Sequence, residues 1–121
     1  MISFGSTVSH RWRRAQYIKQ IREGRVSRAE ACEGDFLLQT AAKFHGRAVA
    51  GVCPVCERDG VLREVWWVFG DAVSSRANSA RSEAELEALV AQTGSAEVHT
   101  VEVCTACGWN FLLMVQEATC S

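Results

Sequence analysis

The chain has 121 residues, 48% of them hydrophobic and 22% charged, with a formal net charge of −1. That is one domain's worth of chain with enough apolar material for a core, which excludes a wholly disordered protein. With 9 Gly and 1 Pro it is not collagen-like or low-complexity, and its near-neutral charge excludes a basic nucleic-acid coat.

The first fourteen residues hold no apolar run of signal-peptide length. The longest apolar stretches, Val65 to Phe69 and Phe111 to Val115, are too short to cross a bilayer, so a cytoplasmic protein with no membrane contact is expected. The charge is unevenly spread. Residues 1–28 carry Arg11, Arg13, Arg14, Lys19, Arg22, Arg25 and Arg28 against Glu23 alone, and the rest of the chain is acidic. Such a basic end meets phosphates or an acidic surface, or else packs on the acidic body of its own chain.

Ser9 is placed to cap a helix over His10 to Glu23, with Gly24 as its stop and Tyr17, Ile18 and Ile21 as an apolar stripe. Ser27-Arg28-Ala29-Glu30 reads as a capping box for a short helix through Cys32. Asp35 can cap a third helix, Phe36 to His45, closed by Gly46. Its Gln39, Thr40, Lys43 and His45 are a poor base-reading set, so a packing helix is expected rather than a DNA-recognition helix. Arg47 to Val52 reads as a connector. Val61 to Phe69 has the β-branched and aromatic bias of a strand, ended by Gly70-Asp71. Residues 72–82 read as a mobile loop, and Ser82-Glu83-Ala84-Glu85 as a second capping box whose helix stops near Gly94. Glu97 to Val103 and Asn110 to Gln116 are strand-like.

Cys53-Pro54-Val55-Cys56 and Cys104-Thr105-Ala106-Cys107 carry the clearest chemistry. A C-x-x-C turn points two sulfurs to one side of a tight knuckle, and two knuckles supply the four thiolates of a tetrahedral zinc site. Gly108 supports the second knuckle, because glycine tolerates a positive φ just after a ligand. A fully thiolate site leaves no position open for water, so one structural Zn2+ is expected. Disulfides, a thioredoxin-like redox motif and an iron–sulfur cluster are the competing readings. Cys32 reads as a core residue and Cys120 as frayed. His10, His45 and His99 are conceivable ligands, but four cysteines leave them no vacancy. Glu64, Glu102 and His99 fall on strands of one expected sheet, yet no phosphate loop, nucleophile elbow or H-E-x-x-H helix accompanies them, so no enzyme and no small-molecule substrate are expected.

These elements are expected to assemble into an α+β architecture. Residues 1–50 form an N-terminal three-helix segment with a basic start. Residues 51–121 form a zinc-ribbon-like antiparallel three-stranded sheet, with a loop and helix inserted at about 72–94. Trp66 and Trp67, as strand neighbours, face opposite ways, so at least one needs cover from the N-terminal helices or a partner.

Arg22-x-Gly24-Arg25-Val26-Ser27, Ala41-Ala42-Lys43-Phe44-His45-Gly46, the first cysteine pair, Val68-Phe69-Gly70-Asp71 and Val101 to Asn110 around the second pair resemble a family of small actinobacterial proteins of unassigned function, from about residue 9 to 117. The resemblance implies an intracellular protein with two cysteine pairs and lends no catalytic residues. The expected role is a non-enzymatic zinc-binding docking module of transcription, with RNA polymerase as partner, and with Arg11, Arg14, Arg22 and Arg25 reaching it or nucleic-acid phosphates. An RNA- or ribosome-associated zinc protein is the alternative, with a Trp stacking on a base, and a thiol redox switch is a third reading.

Overall fold

A computed structural model describes residues 2–33, 36–69, 79–81 and 83–120. In chain order the elements are β1 (Ile2–Ser9), α1 (Arg11–Arg22), α2 (Arg28–Ala31), α3 (Phe36–His45), β2 (Arg47–Ala48), β3 (Leu62–Phe69), β4 (Ser79–Arg81), α4 (Glu83–Thr93), β5 (Ser95–Cys104) and β6 (Asn110–Cys120). The helices fall close to the expected spans, although Ser9 ends β1 and leaves the N-cap position of α1 to His10, which makes no side-chain capping bond. Gly24, at φ +77°, ends the first, and the Ser27 hydroxyl accepts the Glu30 N–H at 3.1 Å to start the second.

The expected three-helix segment followed by a three-stranded ribbon is overturned. The strands form one antiparallel six-stranded sheet in the order β1-β6-β5-β3-β2, with β4 also paired to β3. Two of its strands come from the supposedly helical first fifty residues. β6 is 11 residues long; paired only to β5, it would leave a row of N–H and C=O groups unmatched on its other side. The N-terminal residues take those bonds, from Ile2 opposite Cys120 to Ser9 opposite Met114, with an irregularity between Phe4 and Thr7. The connector after α3 likewise pairs Arg47 with Glu64 and Ala48 with Arg63. Part of the expected 72–82 loop is strand, since β4 runs against Trp66 to Val68. The Asp35 cap, the Gly70-Asp71 stop, residues 72–78, the Ser82 cap and the Cys120 side chain lie outside the described residues.

Alternation along β3 divides the core between two faces. Trp66 and Val68 pack with Val98, Ala118 and the α4 residues Leu86 and Val90. Val65 packs with Val103 and the α3 residues Ala41 and Ala42, and half-buried Trp67 lies against them. Both tryptophans are therefore covered from within the chain. The sheet also curls. Two strands separate β1 from β3, roughly 14 Å if flat, yet the Phe4 ring centroid is 5.5 Å from that of Trp66. From the opposite edge, the Arg47 guanidinium stands 4.3 Å over the same indole. A third cluster sits around the cysteine pairs, where Tyr17, Ile18 and Ile21 of α1 pack with Ala31, Leu62 and Trp109.

Candidate metal centre

Sheet register brings the cysteine pairs together. The first pair precedes β3 and is closed by the Val52–Asp59 bridge. The second follows β5, where Cys104 lies opposite Leu62. Thr105 ties the two connections, donating its N–H at 3.0 Å and its hydroxyl at 3.2 Å to the Val61 carbonyl.

Each pair forms the same turn. Val55 and Cys56 donate backbone N–H groups to Cys53 Sγ at 3.4 and 3.5 Å. Ala106 and Cys107 do so to Cys104 Sγ, both at 3.3 Å. The backbones of Arg58 and Trp109 serve Cys56 and Cys107. In both turns the residue four after the first cysteine donates to that cysteine's carbonyl: Glu57 to Cys53 at 3.0 Å and Gly108 to Cys104 at 3.2 Å. Both residues take positive φ, +61° and +90°.

All four sulfurs lie within 4.8 Å of one another. Cys53 Sγ is 3.7 Å from Cys107 Sγ, and Cys56 Sγ is 3.7 Å from Cys104 Sγ. Thiolates about 2.3 Å from a tetrahedral ion stand about 3.8 Å apart, so the spacing fits a single metal ion. A polynuclear iron–sulfur cluster puts its own iron and sulfide between the thiolates and spreads them wider. Cys53 and Cys104 are buried, Cys56 and Cys107 half-buried. Burial pushes the Cys53 thiol up to about 11 and raises Cys107 as well, the neighbouring thiols adding to the rise at Cys107. Cys56 is lowered: burial opposes its ionisation, but the Arg58 backbone N–H and the surrounding sulfurs outweigh it. Four thiolates in this space need a cation to balance them.

The centre extends beyond the four sequence-predicted residues. Cys32, expected to be ordinary core, directs its thiol at Cys107 Sγ from 3.5 Å. The Gln39 amide donates to the Cys104 carbonyl at 3.4 Å. Behind the second turn, fully buried Trp109 donates Nε1–H to Glu102 Oε2 at 2.9 Å, and Arg14 Nε meets the same oxygen at 2.9 Å. Glu102 is 6% exposed, so this pairing is what permits a carboxylate there. Across the strands, Glu64 faces Glu102 and pairs with Arg47 at 3.5 Å. Sequence spacing held no sign that Arg14 reaches Glu102.

The other basic residues expected at the partner stay clear of this pairing. Arg11 and Arg22 are exposed, and Arg25 meets Glu23 at 3.4 Å. The histidines stand outside the sulfur group: His10 precedes α1, His45 faces Glu85 at 3.9 Å and His99 faces Glu97 at 3.4 Å. No helix among the described residues is long and apolar enough to cross a membrane.

Fold and site together define a small, mostly antiparallel sheet protein with a few helices, carrying at one end of the sheet a four-cysteine centre able to hold a metal ion. The chain belongs to the family of unknown function DUF5318, whose pattern spans residues 1–117 and so takes in β1. It is 38% identical over 101 residues to uncharacterized protein Mb0050 of Mycobacterium bovis, covering 84% of this chain and 73% of the relative. The same identity and coverage hold for uncharacterized protein Rv0049 of Mycobacterium tuberculosis. No solved structure matches.

Proposed function

We propose that this protein is a zinc-stapled, non-catalytic binding module that presents the basic face of α1 to single-stranded RNA. The 3.7 Å spacing of the paired sulfurs carries the zinc reading. Backbone N–H donors to the sulfurs offset the charge of a tetrathiolate, and four thiolates close the coordination sphere of a structural ion.

The partner reading rests on α1. Tyr17, Ile18 and Ile21 hold one side of the helix to the core, and Arg14 is engaged with Glu102. The opposite side presents Trp12, 72% exposed, and Lys19, while exposed Arg11, Arg13 and Arg22 stand on the flanks between that side and the core. The helix contains no carboxylate; Glu23 at its end meets both Lys19 and Arg25. Such a face suits phosphates or an acidic protein surface. The polymerase role expected from a ribbon loses its premise with that architecture, and a solvent-facing indole on an arginine-rich helix favours bases that can stack.

Metal analysis of the purified protein should return one zinc per chain; an equivalent of iron instead would overturn the zinc assignment. Labelled single-stranded RNA should bind with a steep salt dependence. Reversal of Arg11, Arg13 and Arg22 to Glu should weaken binding by roughly tenfold or more at low salt while leaving zinc content unchanged. Salt-independent or undiminished binding would sink the RNA reading, as would retention of RNA polymerase through nuclease treatment without any RNA affinity.

A further inference from the structure

Cys32 lies outside both cysteine turns, yet its Sγ is 3.5 Å from Cys107 Sγ, closer than the 3.7 Å separating Cys107 from Cys53. Its backbone is fixed at that place. The Cys32 N–H closes α2 on the Arg28 carbonyl at 3.0 Å. Its own carbonyl lies against Gly108, where an added Cβ would come within 2.7 Å of it. A thiol is thus held beside one candidate metal ligand while belonging to none of the coordinating turns. Both Cys32 and Cys107 are half-buried, open enough for a small oxidant.

We propose that Cys32 is an oxidation site: a hydroperoxide converts Cys32 and Cys107 into a disulfide, which withdraws Cys107 from the centre and releases the ion. The inference rests on the zinc reading above and adds a means of regulating that site. In the first step the Cys32 sulfur takes one oxygen from hydrogen peroxide, giving a sulfenic acid and one water. In the second, the Cys107 thiolate attacks the Cys32 sulfur. The S–S bond forms, the S–O bond breaks, and the departing hydroxide takes a proton from solvent to leave as a second water. Two sulfurs lose one electron each, and the peroxide gains two. A disulfide requires about 2.05 Å between sulfurs, so the pair closes by about 1.5 Å. Three thiolates then remain at the centre. Until oxidation, the same contact serves as a hydrogen bond that takes charge off Cys107.

The test uses the full-length, zinc-loaded protein treated with hydrogen peroxide. Free thiols are alkylated, disulfides are mapped by mass spectrometry, and released zinc is followed with a chromophoric chelator. The expected product is a Cys32–Cys107 disulfide with loss of one zinc per chain, reversed by dithiothreitol and added zinc. Cys32→Ser, and independently Cys32→Ala, keep all four ligands, so each should still take up one zinc per chain and release it roughly tenfold more slowly under peroxide. Release at the wild-type rate from zinc-loaded variants would overturn the proposal. So would oxidation confined to Cys53–Cys56 or Cys104–Cys107. A protein isolated without zinc would defeat the zinc reading alone, and the disulfide map would still decide whether Cys32 pairs with Cys107.

Discussion

Positions 57 and 108 occupy the same place in two copies of one turn, and only one of them is glycine. Glu57 adopts φ +61° while exposed, so the turn by itself does not demand glycine. Gly108 is set apart by crowding: a Cβ there meets the Cys32 carbonyl at 2.7 Å and Gln39 Nε2 at 3.2 Å. Gly108→Ala should therefore destabilise by about 2–4 kcal/mol, combining left-handed backbone strain with overpacking. Glu57→Ala should cost well under about 1 kcal/mol; thermal denaturation of the two variants compares them directly. At the opposite side of Trp109, Arg14→Ala leaves Glu102 with the indole N–H but without its counter-charge. A loss of about 3 kcal/mol is expected in chemical denaturation, the low end for a buried pair because the Arg14 side chain is 25% exposed. The sequence shows the φ requirement after a knuckle and Arg14 one turn before Tyr17 and Ile18, on the same side of the helix. It does not show which carbonyl crowds the one or which carboxylate receives the other, because both partners are distant along the chain.

At the scale of elements, the helices and the strands β3, β5 and β6 are legible because their signals are local. The Ser27 hydroxyl bond to Glu30 and the Trp66/Trp67 alternation are written in adjacent residues. β1, β2 and β4 are not, since each owes its conformation to a neighbour strand that supplies the hydrogen bonds. β1 is exposed along nearly its whole length and has no buried stripe to announce it. The two cysteine turns are legible in ligand type and spacing, and their pairing follows from the β3–β5 register. Their protonation carries a prediction of its own. Metal-free Cys53 titrates near 11 and Cys107 is raised too, so both are thiols at neutral pH and must lose protons to become ligands. Zinc uptake should release protons, and affinity should rise with pH and fall on acidification. Titration of the metal-free protein with zinc in weakly buffered indicator checks the sign; proton uptake would contradict it.

For the molecule as a whole, the curl of the sheet makes the N-terminal strand part of the core although most of it faces solvent. Phe4 lies edge-on to Trp66, and Ile2 packs on the same cluster as α4. Removing residues 2–9 should strip cover from Trp66 and bare one side of β6. A red-shifted tryptophan emission, a lower melting temperature and a tendency to self-associate are expected, measurable by fluorescence and light scattering. The cysteine centre has a consequence for the assembly of this sheet. Cys104 closes β5 directly opposite Leu62, next to the turn that bears Cys53 and Cys56. Sliding β5 by one residue against β3 would carry the second turn about 3.4 Å along the strand and invert its side chains. The sulfurs could then no longer converge on one point. An ion bound there would act as a proofreader of strand alignment, holding only those chains that have paired in the correct frame.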